Sequence, residues 1–451
     1  MSEPNVLLDA LIEAAGFSHA GFADRVNQRG RQRGLDLRYD HASVARWVRD
    51  HAVPRGCVPE IICEVLSSGI GCVISFSEAG LDGAGSLRAG DVPLSEAVDR
   101  AAAMWRSEVK RGWPPAKRPV QSGPASVSPV FEWENPPDDT DVSSCRGRRT
   151  VAVADVLMVQ EARGRYEQMY RRVGGVPVWP RVIGFLDSQV APLLRENYDD
   201  AVGRRLMRSA GGLVAVAGIC LYDADRQAAA QRYFFDALRL AKASGDRGFG
   251  GYIVALLANL SMSLGRYRQV VQYAETAMRG AGGCLSPALL SDLCTLQAKA
   301  YARMGDRVQC HEQMRRAERM TGRIRRSEEP PETGYVQRGL LEVQHAEALR
   351  QLGDLAQAQA YAEEALTTAE SSHLRSQVHR FATLAMVLAA RGQVEEAAGV
   401  AHRMLDGAQG MESRRLRERM LAVCGAIRAK GAGSAAREFV ERAKDQLSTP
   451  I

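Results

Sequence analysis

Three residues in one short stretch have the chemistry to read a base edge. In YDHASVARWVRDHAVPRG (39–56), His41, Ser43 and Arg46 can donate or accept hydrogen bonds, and a guanidinium pairs bidentately with guanine O6 and N7. Other chemistry is thin. Nine cysteines (57, 63, 72, 145, 220, 284, 294, 310, 424) are dispersed without a CxxC pair, so reduced, mostly buried thiols are expected, with no metal and no cofactor. The chain has no GxxxxGK[ST], no strand–GxGxxG–helix, no HExxH and no GxSxG. GAGGC (280–284) falls between helical stretches and reads as a loop rather than a phosphate cradle. Cys310-His311 and the pair His373/His379 lie on expected helices, where packing or surface roles suffice. Glu363-Glu364 and Glu395-Glu396 read as exposed helix charges, not as an acid/base pair. No enzyme is expected.

The base-reading residues need a helix to present them. Asp40 is a good N-cap for a helix beginning at His41, and Pro54 forbids much continuation beyond Val53. Val44, Trp47 and Val48 fall at i, i+3 and i+4 and form one buried face. His41, Ala42, Ser43, Arg46 and Arg49 are left on the exposed side. Three more short helices surround this one. VLLDALIEAA (6–15) supplies Leu7, Leu8, Leu11 and Ile12. A second, capped by Ser18, turns Phe22, Ala23 and Val26 inward, and VPEIICEVLSSG (58–69) supplies Val58, Ile61, Ile62, Val65 and Leu66.

Charge alone decides little. The basic residues are 53 Arg against 6 Lys, a skew that the codon usage of a GC-rich genome explains. The net charge of +6 over 451 residues permits a nucleic-acid partner without demanding one. The distribution says more: residues 24–55 hold eight Arg and four Asp, so most of the excess sits in a small part of the chain. If the helix at 41–50 docks on DNA, His41, Ala42, Ser43 and Arg46 are placed for bases. Ser18, Arg25, Arg29, Arg31, Arg33, Arg38, Arg49 and Arg55 are then placed for phosphates. The competing reading is a plain helical bundle with a solvated Arg-rich face.

Beyond the first 80 residues the texture changes. Residues 81–149 are rich in Gly, then dense in Pro, and read as a largely disordered linker with one helix near 94–110. From 150 to 451 the pattern is helical and repeating. Taking Asp225, Gly265, Gly305, Gly353 and Gly392 as turn positions, the spacings are 40, 40, 48 and 39 residues. Each turn is preceded and followed by a helix carrying small residues, such as Ala298, Ala346 and Ala385 before it and Ala277, Ala317 and Ala365 after. One hairpin cannot bury its own apolar face, but a stack can. The expected fold is therefore all-α: a small N-terminal bundle (1–80), a linker (81–149) and an α-solenoid (150–451). Leu352-Gly353-Asp354 with Ala358 and Ala365 resembles a tetratricopeptide repeat, although the period is nearer 40 than 34 and the terminal proline is missing.

Ser18…Phe22-Ala23…Val26 followed by Ser43-Val44-Ala45-Arg46-Trp47 resembles the helix-turn-helix of lambda-repressor-like (XRE-type) regulators. NQRGRQRGLDLRYD, within which 27–38 is an Arg-rich insertion, is about ten residues longer than that motif needs. With FLDSQVAPLLRENYDDAVGRRL (185–206) and LYDADRQAAAQRYFFDALRLAKASGD (221–246), the chain resembles the actinobacterial (Streptomyces-type) helix-turn-helix regulators with C-terminal tetratricopeptide-like repeats. That resemblance implies a transcriptional regulator of development or specialised metabolism that binds double-stranded DNA. It implies an effector at the repeats, which could be a peptide, a small molecule or a protein.

Asn259, Gln297, Gln344 and Arg350 are the polar groups expected in the groove of the stack. The basic run RRAERMTGRIRRSEEPPE (315–332) reads as a solvated helix end and the loop behind the 48-residue spacing. A homodimer is expected, and a cytoplasmic location, since the start MSEPNVLLDALIEAAG lacks the basic region of a signal peptide. No apolar run approaches the roughly 18 residues of a membrane span. The alternative is a scaffold whose repeats bind another regulatory protein and whose first domain does not bind DNA.

Overall fold

A computed structural model describes residues 4–32, 35–54, 58–71, 74–76, 78–81, 93–113, 115, 119–367, 374–430 and 433–448. The protein is all-α, an N-terminal helical bundle and a stack of helical hairpins. By internal packing the chain forms two compact units. The first comprises Met1–Val159, Pro180–Gly218 and Arg226–Ser244, and the second Gln160–Trp179, Ile219–Asp225 and Gly245–Ile451.

The bundle is built from α1 (Val6–Ala14), α2 (His19–Gln32), α3 (His41–Arg49) and α4 (Val58–Ile70). Its core is the apolar stripes read from the sequence: Leu8, Leu11, Ile12, Phe22, Val26, Val44, Trp47, Ile61, Ile62 and Leu66 are all buried. Each such side chain contributes roughly 1.5–3 kcal/mol on leaving water. The ends of the bundle meet at Asn5. Its side chain caps α1 by accepting from the Leu8 amide (3.0 Å) and donates to the Ala79 and Gly80 carbonyls (3.0 and 2.9 Å), while its own amide donates to Val48 O (2.6 Å).

Within the same unit lie α5 (Leu94–Arg111) and α6 (Pro124–Glu134). Of these α5 is the helix expected near 94–110, whereas α6 corrects the expectation that proline density leaves no structure there. Pro124 occupies the start of the helix, where no amide donor is needed, while Pro129 lies inside it and removes one intrahelical hydrogen bond. Trp105 of α5 and Trp133 of α6 are fully buried, so the segment does hold enough apolar surface to pack.

Two elements carry the chain onward: α7 (Val153–Val173), and α8 (Trp179–Phe185) continued by a π-helical turn (Leu186–Val190) and α9 (Ala191–Leu193). Then α10 (Asp200–Asp223) and α11 (Gln227–Ser244) begin the hairpins. On α11, Gln231 exchanges two hydrogen bonds with the Gln121 backbone (2.8 and 3.1 Å) and Arg239 grips Asp139 through both amino groups (2.8 Å each). These bonds fix residues 119–139 in place. The only strands among the described residues are the two-residue pair Ser144–Cys145 and Asn197–Tyr198, antiparallel. Helix α10 corrects the expectation that no stretch approaches a membrane span: it is long and apolar enough to cross one, but 89% of its apolar window is buried inside the protein.

The second unit holds the hairpins α12/α13 (Arg247–Ser263, Tyr267–Gly280), α14/α15 (Pro287–Met304, Arg307–Thr321), α16/α17 (Leu340–Leu352, Leu355–Thr367), α18/α19 (Leu374–Ala390, Val394–Gly407) and α20/α21 (Arg414–Lys430, Ser434–Ser448). All five turn positions read from the sequence have positive φ: Asp225 57°, Gly265 72°, Gly305 80°, Gly353 84° and Gly392 82°. That left-handed geometry ends the first helix of each pair and lets the second fold back. The longest spacing is taken up by residues 322–339, with a short 3-10 turn at Pro331–Thr333. Each first helix packs on the first helix of the next hairpin, from α12 through α14, α16 and α18 to α20. These five helices therefore share one inner face of the stack.

Candidate functional site

In the bundle, α3 is set by its cap. Asp40 is extended (φ −129°, ψ −178°) and accepts from the Ser43 amide (2.8 Å) and hydroxyl (2.7 Å). These bonds, chiefly the hydroxyl, hold the Asp40 carboxyl below the usual carboxylate range. Tyr39, just before the cap, is fixed from α2: Asn27 Nδ2 donates to its carbonyl (2.7 Å) and Asn27 Oδ1 accepts from its amide (2.8 Å). The Tyr39 ring meets Trp47 edge-on at 4.9 Å. On α2, Gly30 lets Leu37 fold against the helix, since a Cβ there would stand 2.4 Å from Leu37 Cδ1. The described part of the Arg-rich insertion is thus an extended α2 followed by a loop tied back onto it.

On α3, His41, Ala42, Arg46 and Arg49 are exposed while Val44, Trp47 and Val48 are buried. At 100° per residue the exposed group spans an arc of about 140°. Ser43 is a correction: it is 7% exposed and its hydroxyl is engaged in the cap. Ser18 caps α2, accepting from the Gly21 amide (3.2 Å).

The expected phosphate cations divide by their partners. Arg29 is bound to Glu64 (2.7 Å) and Gln32 (3.0 Å), which turns it toward α4. Arg38 pairs with Asp36 (2.8 Å), and Arg25 lies over the Phe17 ring (4.5 Å). Arg31, Arg46 and Arg49 are exposed, and their side chains make no ion pair or hydrogen bond among the described residues. Arg33 and Arg55 lie outside the described residues.

The inner face of the stack is a different environment. Of the polar groups expected there, Asn259 of α12 receives the Tyr222 hydroxyl at both its carbonyl and Oδ1 (3.2 Å each). Gln344 and Arg350 lie half-buried on α16. Gln297 of α14 is 2% exposed, too deep to line an open groove. The sequence reading missed the group between them. Lys299 of α14 donates to Gln344 Oε1 (2.6 Å) and pairs with Glu347 Oε2 (2.8 Å). Arg419 of α20 takes the other oxygen of Glu347 and also reaches Thr383 of α18 (2.5 Å). Burial opposes the Glu347 charge, but Arg419 and Lys299 hold its carboxyl well below the usual range. The one-turn spacings Lys299–Arg303 and Glu347–Arg350 on successive first helices are the signal that could have found this group.

At the other end of the inner face, Asp223 is fully buried. It accepts from the Gly175 amide (2.8 Å), the Ser413 hydroxyl (2.6 Å) and Arg375. The last turn of α7 meets this end. Tyr170 lies 5.2 Å from the Arg375 guanidinium, and Val173 O accepts from the Glu412 amide (2.9 Å). Deeper in the stack, burial pushes His345 of α16 down to about 4.

A family model described as the SP15 N-terminal domain matches residues 8–82, the span of the bundle whose last core residue is Leu81. No curated protein matches the chain.

Proposed function

We propose that the chain is a sequence-specific, DNA-binding transcriptional regulator whose repeat stack receives an effector. The observation that carries this reading is the exposed arc of α3, where Arg46 and Arg49 stand without an internal partner while the opposite side of the helix is locked into the core. The likeness of α2 and α3 to the lambda-repressor-like pattern supports it. In this reading α3 enters the major groove, with His41, Ala42 and Arg46 toward the bases, while Ser43 rigidifies the start of the helix. Arg25, Arg31, Arg38 and Arg49, with the N-terminus of α2 at Ser18, face phosphates. Arg29 serves the bundle through Glu64 instead. A homodimer in the cytoplasm would read two half-sites about one helical turn apart.

The test is binding of the full-length protein to genomic DNA fragments over a range of salt. For Z phosphate contacts, affinity is expected to fall with a log–log slope near −0.9Z. Arg46→Ala should relax base preference at roughly 1–3 kcal/mol, and Arg31→Ala should weaken all sequences alike. Absence of salt-dependent binding would leave the scaffold reading, with the repeats docking another regulator. Identical behaviour of the two variants would overturn the assignment of the groove-facing side.

A further inference from the structure

Around Glu347 the inner face carries more positive charge than it neutralises. Lys299 and Arg419 both spend themselves on this one carboxylate. Arg303 follows Lys299 by one turn of α14, and Arg350 follows Glu347 by one turn of α16, so both project on the same side as the pair they follow. Among the described residues neither the Arg303 nor the Arg350 side chain makes a hydrogen bond or ion pair, and the Arg419 Nε atom is buried without a partner. Burial presses the Arg350 guanidinium below its ordinary value; the Glu347 carboxylate opposes that shift, while the charges of Arg303 and Arg419 add to it. Four cations thus face one carboxylate. Arg303 is exposed and Arg350 half-buried, and Arg350 shares the Glu347 charge with Lys299 and Arg419. Partial burial of a guanidinium that has only a share of one carboxylate is costly, and a bound anion relieves that cost.

We infer that Lys299, Arg303, Arg350 and Arg419 form a binding site for a phosphate-bearing small molecule, and that Glu347 occupies the site in its absence. The inference rests on reading the inner face as an effector site and gives that effector a chemistry. Planar guanidinium groups suit phosphate oxygens because they donate in parallel pairs, and the Lys299 ammonium adds a point charge. The cations come from three different helices, so a compact ligand with two or more charges can touch all of them. Val173 and Gly175, at and just beyond the end of α7, bond to Glu412 and Asp223, and a compact ligand held by these cations need not reach that segment as an extended acidic peptide would. When phosphate enters, the guanidinium and ammonium donors pass from the Glu347 carboxylate to the ligand. The ligand thereby joins α14, α16 and α20 through its own oxygens.

The test uses the full-length protein with inorganic pyrophosphate and a ribonucleoside triphosphate, and with sulfate and hexaglutamate as comparators. Calorimetry and thermal unfolding are the readouts. Pyrophosphate or the nucleotide should bind and raise the unfolding temperature. Arg303→Ala, on an exposed side chain that folding does not need, and Arg350→Ala should each weaken binding tenfold or more. Glu347→Gln should lower the unfolding temperature of the free protein yet tighten phosphate binding about tenfold, because the internal competitor is gone. Unchanged affinity in Arg303→Ala, no tightening in Glu347→Gln, or binding of hexaglutamate in preference to either phosphate compound would each overturn the assignment. DNA binding by the parent protein is measured separately. Its failure sinks the regulator reading while phosphate binding still stands or falls on these variants.

Discussion

The bundle and the repeat stack put their arginines to opposite uses. In the bundle the core is apolar, and Arg31, Arg46 and Arg49 stand outside it in water. In the stack, charge goes inside: Asp223 is fully buried against Arg375 and Ser413, and Glu347 is shared by helices that meet nowhere in the sequence. An arginine-rich composition therefore says nothing until its partners are known. Where Arg has a buried carboxylate it holds helices together, and where it has none it is available to something else.

Removing a buried partner should separate the two regions most sharply. Asp223→Ala leaves Arg375 unpaired and the Ser413 hydroxyl and Gly175 amide without their acceptor, at an expected cost of about 3–5 kcal/mol, read from denaturant unfolding of the full chain. A loss below about 1 kcal/mol would show that the buried charges of the stack are not structural.

Next in size is a dependence on pH carried by the stack. His345 is neutral in the fold, its value moved from 6.5 down to about 4 by burial. A depressed base is stabilising above its unfolded value, so the contribution is full above about pH 6.5 and is lost as the pH falls toward about 4. The total loss is on the order of 3 kcal/mol. Thermal unfolding between pH 7 and 4 should therefore flatten in His345→Leu; an unchanged slope would place the acid sensitivity elsewhere.

The smallest effect belongs to the bundle. Asn27→Ala removes both bonds that hold Tyr39 at the approach to α3 and should cost about 1–2 kcal/mol. Because α3 is positioned through this contact, DNA affinity should fall with it. Lost stability without lost affinity would mean that the groove-facing helix does not depend on the insertion.

What was legible in the sequence follows the range of the interaction. Asp40 as a cap and the five left-handed turns are decided within four or five residues, and they stand as read. The stripes of α1 to α4 are one-helix patterns and were equally open to reading. Proline density concealed α6 because the burial of Trp133 depends on packing by distant helices. Ser43 was assigned to DNA because its exposure, unlike its polarity, depends on the cap geometry. Arg29 could not be sorted from its neighbours without Glu64, 35 residues away. The Asp223 and Glu347 groups join helices up to 190 residues apart, a separation at which residue type carries no pairing information.

Asn5 has a consequence for the topology of the first 80 residues. One side chain joins the start of α1 to the backbone at Ala79 and Gly80, so the chain enters and leaves the bundle at the same point. A domain with adjoining ends can be circularly permuted: residues 5 and 80 can be bridged by a short linker and the chain reopened in a surface loop. It can equally be moved as a cassette onto another carrier, without unthreading any helix of its core.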